Sequence, residues 1–343
     1  MKSVGFIISL KENENRRALT PKSLRSVKNR DHIYIEHNYG EVLGYTDEDY
    51  TALGCSVCSR DEILKKDVIC DLKISDADYM DSLSPGQTLF GWVHAVQNRE
   101  VTEKIITNKI TAIAWESMFF MGRHIFRQNN ELAGTAAILH GFSYCGLLPS
   151  DAKVALIGRG NVAKGCLSTL TRLGADVTVF DRRMEKLLQK EAGKYDVIVN
   201  ALLWDVRRKD HILYREDLKR LKKGAFIIDV SCDENGAIES SVPTTLEEPT
   251  YVTEGILHYA VDHTPSIFYK SASKMISDIL SEYIDSLVTG VYNEILNDAI
   301  IIKDGVICDK EMKALLRRAS KRSFLPKNLL GWLFKREKAQ GKV

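Results

Sequence analysis

Through the first third of the chain, short runs of β-branched and aromatic residues alternate with amphipathic stretches. Val4–Ile8, Ile33–Glu36, Val68–Leu72 and Ala112–Trp115 predict strands; Pro21–Val27, Thr46–Leu53, Arg60–Lys65 and Val101–Asn108 predict helices. Parallel neighbours need a crossover, so strands separated by helices of this size predict a mostly parallel, doubly wound sheet. Residues 131–148 carry apolar positions nearly all round a helical pattern, as expected of a helix buried between two domains.

A second alternation starts at Lys153. Lys153–Gly158 predicts a strand, Asn161–Gly174 a helix closed by glycine, and Ala175–Asp181 another strand. Tyr195–Leu203, Gly224–Ser231 and Pro249–Gly255 predict three more, short enough for a parallel sheet buried on both faces. Ser271–Ile295 is a final long helical pattern leading back towards the first half. The expected architecture is α/β, with two doubly wound, Rossmann-like domains built on parallel sheets. Residues 1–130 plus 270–343 would form a discontinuous substrate domain, and 131–269 the dinucleotide-binding domain.

The length of 343 residues suits two domains, and 44% hydrophobic with 27% charged residues suits a buried core. A net charge of +2 gives no long-range attraction to nucleic acid. No apolar run reaches the roughly 18 residues of a membrane helix, so no membrane insertion is expected. The short apolar N-terminus runs into charged residues without a cleavage pattern and reads as a first strand, not a signal peptide. Seven irregularly spaced cysteines, among them an isolated Cys55-x-x-Cys58, point to reduced thiols, no metal and a cytoplasmic setting. From Lys310 the chain is strongly basic, with Leu329, Leu330, Trp332, Leu333 and Phe334 interspersed. It reads as a terminal helix packed on the substrate domain.

The sharpest local signal is Gly158-Arg159-Gly160-Asn161-Val162-Ala163, between a predicted strand and a predicted helix. Gly158 permits the turn, Gly160 lets the backbone approach a pyrophosphate, and Ala163 allows close helix–strand packing. The N–H groups opening the helix, at Asn161 and Val162, face the phosphates. Asp181 follows about 20 residues later at the end of the next strand, placed for a ribose 2′-hydroxyl and hence NAD. Arg182 and Arg183 come immediately after and suit a 2′-phosphate. The two arginines favour NADP, with NAD kept open.

Other segments carry a family resemblance. Lys11-Glu-Asn-Glu-Asn-Arg-Arg-Ala-Leu-Thr-Pro21, Asp71-Leu-Lys-Ile74, Gly91-Trp-Val-His-Ala95, Asp229-Val-Ser-Cys-Asp233 and His258-Tyr-Ala-Val-Asp-His-Thr-Pro265 run in order over most of residues 1–275. Together they resemble the alanine dehydrogenase/transhydrogenase superfamily, which also includes saccharopine dehydrogenases. The chain is most similar to a smaller branch that condenses pyruvate with the side-chain amine of ornithine and reduces the product. The resemblance implies that Arg16 holds a substrate carboxylate and that Lys73 and His94 handle protons. It also implies that Asp233 faces the nicotinamide. The residue types fit. A guanidinium fork grips carboxylates, an ammonium polarises a 2-oxo group, and an imidazole titrates near neutrality. Glu116, at a strand end, could accept a substrate amine or pair with Lys73. Asp262 and His263 lie in a loop expected near the cofactor.

After Lys73 the chain has Ile74-Ser75-Asp76, where alanine dehydrogenases carry a Val-Lys-x-Pro-like segment. This departure and the arginine pair turn the expectation away from ammonia. The expected reaction is NAD(P)H-dependent condensation of a 2-oxo acid with the side-chain amine of ornithine or lysine. Alanine dehydrogenase or saccharopine dehydrogenase-like chemistry are the alternatives, and a non-catalytic nucleotide sensor is the rival of another class. The partners expected are small-molecule substrates, and relatives imply a homo-oligomer.

Overall fold

The strands, in chain order, are β1 (Val4–Phe6), β2 (Ile33–Glu36), β3 (Ser56–Cys58), β4 (Val68–Lys73), β5 (Thr88–Trp92), β6 (Thr111–Ala114), β7 (Phe119–Phe120), β8 (Arg123–His124), β9 (Lys153–Ile157), β10 (Asp176–Phe180), β11 (Val197–Asn200), β12 (Phe226–Asp229), β13 (Thr250–Thr253), β14 (Ile256–Tyr259), β15 (Ile300–Lys303) and β16 (Val306–Ile307). Three helices organise them: α1 (Arg127–Cys145), α2 (Asn161–Arg172) and α3 (Tyr269–Thr289). The computed structural model describes residues 1–205, 207–233, 235–309 and 312–313. The basic stretch expected to pack as a terminal helix lies, apart from Met312 and Lys313, outside the described residues.

Two sheets carry the fold, in the α/β architecture the pattern predicts. The first has eight strands in the order β16-β15-β6-β5-β4-β1-β2-β3. Its strands from β6 to β3 are parallel, and β15 joins β6 antiparallel. Buried apolar clusters cover both faces, which is why β4 and β5 are buried along their whole length. The second sheet has six strands in the order β10-β9-β11-β12-β14-β13.

Pro249–Gly255 holds β13, which is half-exposed and lies antiparallel at the sheet edge; the last parallel strand is β14. His258 interrupts the hydrophobic pattern of Ile256–Tyr259. That histidine is buried and bonded at both ring nitrogens, to Ser240 Oγ and Ile256 O. Helix α1 also departs from expectation. It buries Gly134, Ala137, Ile138 and Phe142 but leaves Leu139 and Tyr144 more than 40% exposed. The last long helix, α3, ends at Thr289, where Gly290 takes a left-handed conformation; Ile295 lies in a separate short helix, Glu294–Asp298.

Candidate active site

Lys73 closes β4, and Trp92-Val93-His94 continues from the adjacent β5. The register between the strands shifts between Asp71 and Lys73. Gly91 makes that shift possible, since a Cβ there would lie 1.7 Å from the carbonyl oxygen of Asp71. The Asp71 carboxylate, buried beneath, accepts from the Lys73 backbone N–H at 2.9 Å and the Tyr79 hydroxyl at 2.8 Å. Lys73 is only 8% exposed, yet among the described residues no hydrogen bond or ion pair holds its ammonium. Its charge acts on Glu14, His94 and Asp262.

Arg16 is buried to 3% exposure and lies over the Trp92 ring, 5.2 Å from its centroid. Its fork is already engaged: Nε and Nη2 donate to the two oxygens of Glu14, leaving the Nη1 edge, 3.4 Å from Asn129 Oδ1. Burial works against ionisation of Glu14, but Arg16 and then Lys73 hold its carboxyl below the ordinary value. Sequence reasoning missed Glu14. A charged run such as Lys11–Arg17 reads as solvated, and only the position two residues before Arg16 hinted otherwise.

His94 adopts φ +46°, a conformation disfavoured for any residue with a Cβ. Glu116 holds it there. One carboxylate oxygen accepts from the His94 backbone N–H at 2.6 Å and the other from Val93 at 3.2 Å. Glu116 therefore braces the histidine turn, where the sequence suggested a ligand for the substrate amine. Burial pushes the His94 imidazole below its ordinary value; Lys73 adds to that, and Glu116, Asp76 and Asp262 oppose it. At neutral pH it is a base.

The second sheet supplies the facing wall. Asp262, after β14, takes His263 on one oxygen at 2.7 Å and Lys11 on the other at 3.0 Å. The other ring nitrogen of His263 meets the Glu12 carbonyl at 2.8 Å, so this loop is tied to the Lys11–Arg17 segment. Burial opposes, but His263, Lys73 and Lys11 hold the Asp262 carboxyl well below the carboxylate range. Cys232, after β12, is within electrostatic reach of Lys73, Asp262 and the neighbouring Asp233. Burial, with Asp229 adding to it, raises the Asp233 carboxyl to about 6.

A carboxyl whose folded-state value is raised contributes stability at low pH, and that contribution is lost as pH rises through about 6. The loss begins above the ordinary value of 3.8 and is complete above about 6, so Asp233→Asn is expected to raise the melting temperature at pH 8 and to raise it less at pH 5. A scan at both values checks this, and an equal effect at the two refutes it.

The glycine turn fits a dinucleotide. Gly158 takes φ +117°, and a Cβ there would sit 2.7 Å from Ala201 O, whereas the space above Gly160 is open. Helix α2 starts at Asn161 with Gly160 as its N-cap, so the first N–H groups, at Asn161, Val162 and Ala163, lack intrahelical acceptors and face that space. Ala163 is buried against the second sheet. A cleft of about 300 Å³ adjoins, lined by Gly158, Arg159, Asp181, Arg182, Arg183 and Leu202. All three arginines line the cleft, and Arg183 and Arg159 also reach Asp181 Oδ2 at 3.0 and 3.5 Å. The hydrogen bond from Arg183 holds the Asp181 carboxyl below its usual range.

Comparison with known proteins gives the family. Residues 9–126 match the alanine dehydrogenase/PNT N-terminal domain, and residues 184–313 the alanine dehydrogenase/PNT C-terminal domain. The chain belongs to the alanine dehydrogenase/PNT family. Among its relatives is a Clostridium botulinum protein named N(5)-(carboxyethyl)ornithine synthase, 32% identical over 85% of this chain and 97% of its own length. A Lactococcus lactis protein of the same name is 31% identical over 82% and 94%. A Halomonas elongata alanine dehydrogenase is 27% identical over 84% and 88%. A solved L-alanine dehydrogenase shares the fold with a TM-score of 0.77 at 20% identity, covering 92% of this chain and 99% of that one. As a member of this enzyme family the chain is an oxidoreductase, with a nicotinamide dinucleotide as its cofactor. No helix among the described residues is long and apolar enough to cross a membrane.

Proposed function

We propose that the chain condenses a 2-oxo acid, pyruvate, with the side-chain amine of ornithine or lysine and reduces the product to an N-(1-carboxyethyl) amino acid. The observation that carries this reading is Lys73, 8% exposed, with no hydrogen bond or ion pair on its ammonium among the described residues and within electrostatic reach of both Glu14 and His94. The Nη1 edge of Arg16 takes the 2-oxo acid carboxylate. Lys73 polarises the 2-oxo group. His94, neutral at working pH, removes a proton from the incoming ammonium so that its nitrogen can attack the 2-oxo carbon. Lys73 and His94 return protons to the departing hydroxyl, which leaves as water and gives a protonated imine. The nicotinamide supplies a hydride to the imine carbon. The secondary amine then takes up one proton, so each turnover consumes one NAD(P)H and one proton and releases one water.

For the cofactor we propose NADP, with NAD as the weaker substrate. Arg183 and Arg159 neutralise the aspartate that would repel a 2′-phosphate, and Arg182 is placed to bind one. The test is a rate screen with pyruvate, ornithine or ammonia, and NADPH or NADH. Turnover should need ornithine or lysine, and Arg182→Ala should raise KM for NADPH about tenfold while sparing NADH. Turnover with ammonia but not with either diamino acid overturns the condensation and makes the chain an alanine dehydrogenase. Unchanged NADPH use in the variant clears Arg182.

A further inference from the structure

A diamino acid that reacts through its side-chain amine keeps an α-ammonium and an α-carboxylate throughout. Both must be held at the cleft, since a charge taken from water without a partner is costly. The site therefore needs an anion and a cation beyond those serving the 2-oxo acid. Arg16 is spent on Glu14 and the 2-oxo acid, and Lys73 stands beside His94.

Lys11 is a further cation there, beside Asp76 and Asp262. Its ammonium donates to Asp262 at 3.0 Å and lies 3.2 Å from Asp76, and an ammonium has three donors. The third is unspent among the described residues. The two carboxylates that flank it are open to more donors. Asp76 accepts otherwise only from Ser75 Oγ at 2.9 Å, and Asp262 from His263. Lys11, Asp76 and Asp262 have side chains 20–31% exposed, so the cluster is reachable from the cleft and is not sealed in the core. Its position follows from the chain. Asp76 is three residues past Lys73, both aspartates act on His94, and Asp262 acts on Lys73. Lys73, 8% exposed and without a hydrogen bond or ion pair among the described residues, lies within electrostatic reach of Asp262 and joins this cluster to the reacting groups.

We infer that Lys11, Asp76 and Asp262 form the subsite for the zwitterionic end of the amine substrate, with Lys11 on the α-carboxylate and the aspartates on the α-ammonium. This rests on the condensation proposed above. It also gives Asp76, in the segment where the chain departs from the alanine dehydrogenase pattern, a task that ammonia does not require.

The experiment measures initial rates of the full chain with pyruvate, NADPH and three amines: ornithine, 1,4-diaminobutane, which lacks the carboxylate, and 5-aminopentanoate, which lacks the α-ammonium. The wild type should prefer ornithine to both. Lys11→Met should raise KM for ornithine about tenfold and erase the preference over 1,4-diaminobutane. Asp76→Asn should erase the preference over 5-aminopentanoate. In both, KM for pyruvate should stay within about twofold, a split that loss of a merely structural ion pair would not produce. Lys11→Arg, which keeps the cation, should restore the carboxylate preference and guards against a folding defect in Lys11→Met. Unchanged amine preferences in both variants, or equal rises in KM for pyruvate and ornithine, overturn this assignment alone. A wild type that turns over ammonia but no diamino acid overturns the proposed reaction, and the assignment with it.

Discussion

Lys73→Met should cut kcat by about a thousandfold and leave the fold intact. Proton transfer by a positioned group is worth about 10² to 10⁴ in rate, and Lys73 also polarises the 2-oxo group, so the upper part of that range is expected. Methionine keeps the length of the side chain and removes a buried charge that no hydrogen bond compensates among the described residues. The attraction to Glu14 and Asp262 that is lost opposes the gain from removing a largely buried cation, so the melting temperature should change little. The same change removes a cation that helps hold Glu14 and Asp262 ionised, and their carboxyls should titrate at higher pH. Rates in the variant within tenfold of wild type would remove Lys73 from the chemistry. A His94→Ala variant equally active would return the nucleotide-sensor reading to the field.

Gly91→Ala is expected to damage stability and activity together. The added methyl would meet the Asp71 carbonyl oxygen at 1.7 Å, and the neighbour is backbone on a fully buried strand that cannot swing aside. Overpacking of this kind costs about 1–3 kcal/mol. The displacement falls on the register shift that sets Lys73 opposite Trp92, two residues before His94. A misplacement of about 1 Å at reacting groups costs roughly a hundredfold in rate. Thermal unfolding together with kcat would show both losses. A stable variant with wild-type kcat would mean that the strands can separate without moving the site.

Much of this was legible because it is local. The turn at Gly158–Gly160 is a short-range backbone requirement, and the strand before it and helix after it are regular patterns. Lys73 could be placed at a strand end from the apolar run that precedes it. What escaped was non-local. Strands β5 and β14 were not predicted, because Gly91 and His258 break the apolar pattern. Their burial comes from neighbours on both sides of the sheet. Strands β15 and β16 complete the first sheet from the far end of the chain, through pairing with β6 that no local pattern announces.

The candidate site divides along the same line. By itself the sequence determined the α/β alternation, the dinucleotide turn and the residue types able to do imine chemistry, because these depend on side-chain periodicity and on backbone freedom within a few residues. Only the tertiary structure decided who pairs with whom. It spent the fork of Arg16 on Glu14, turned Glu116 into a brace for the His94 turn, and brought Lys11 against Asp76 and Asp262 from opposite sides of the cleft. A charge takes its role from which opposite charges lie within a few ångströms once water is excluded, and the packing of the two sheets sets that distance.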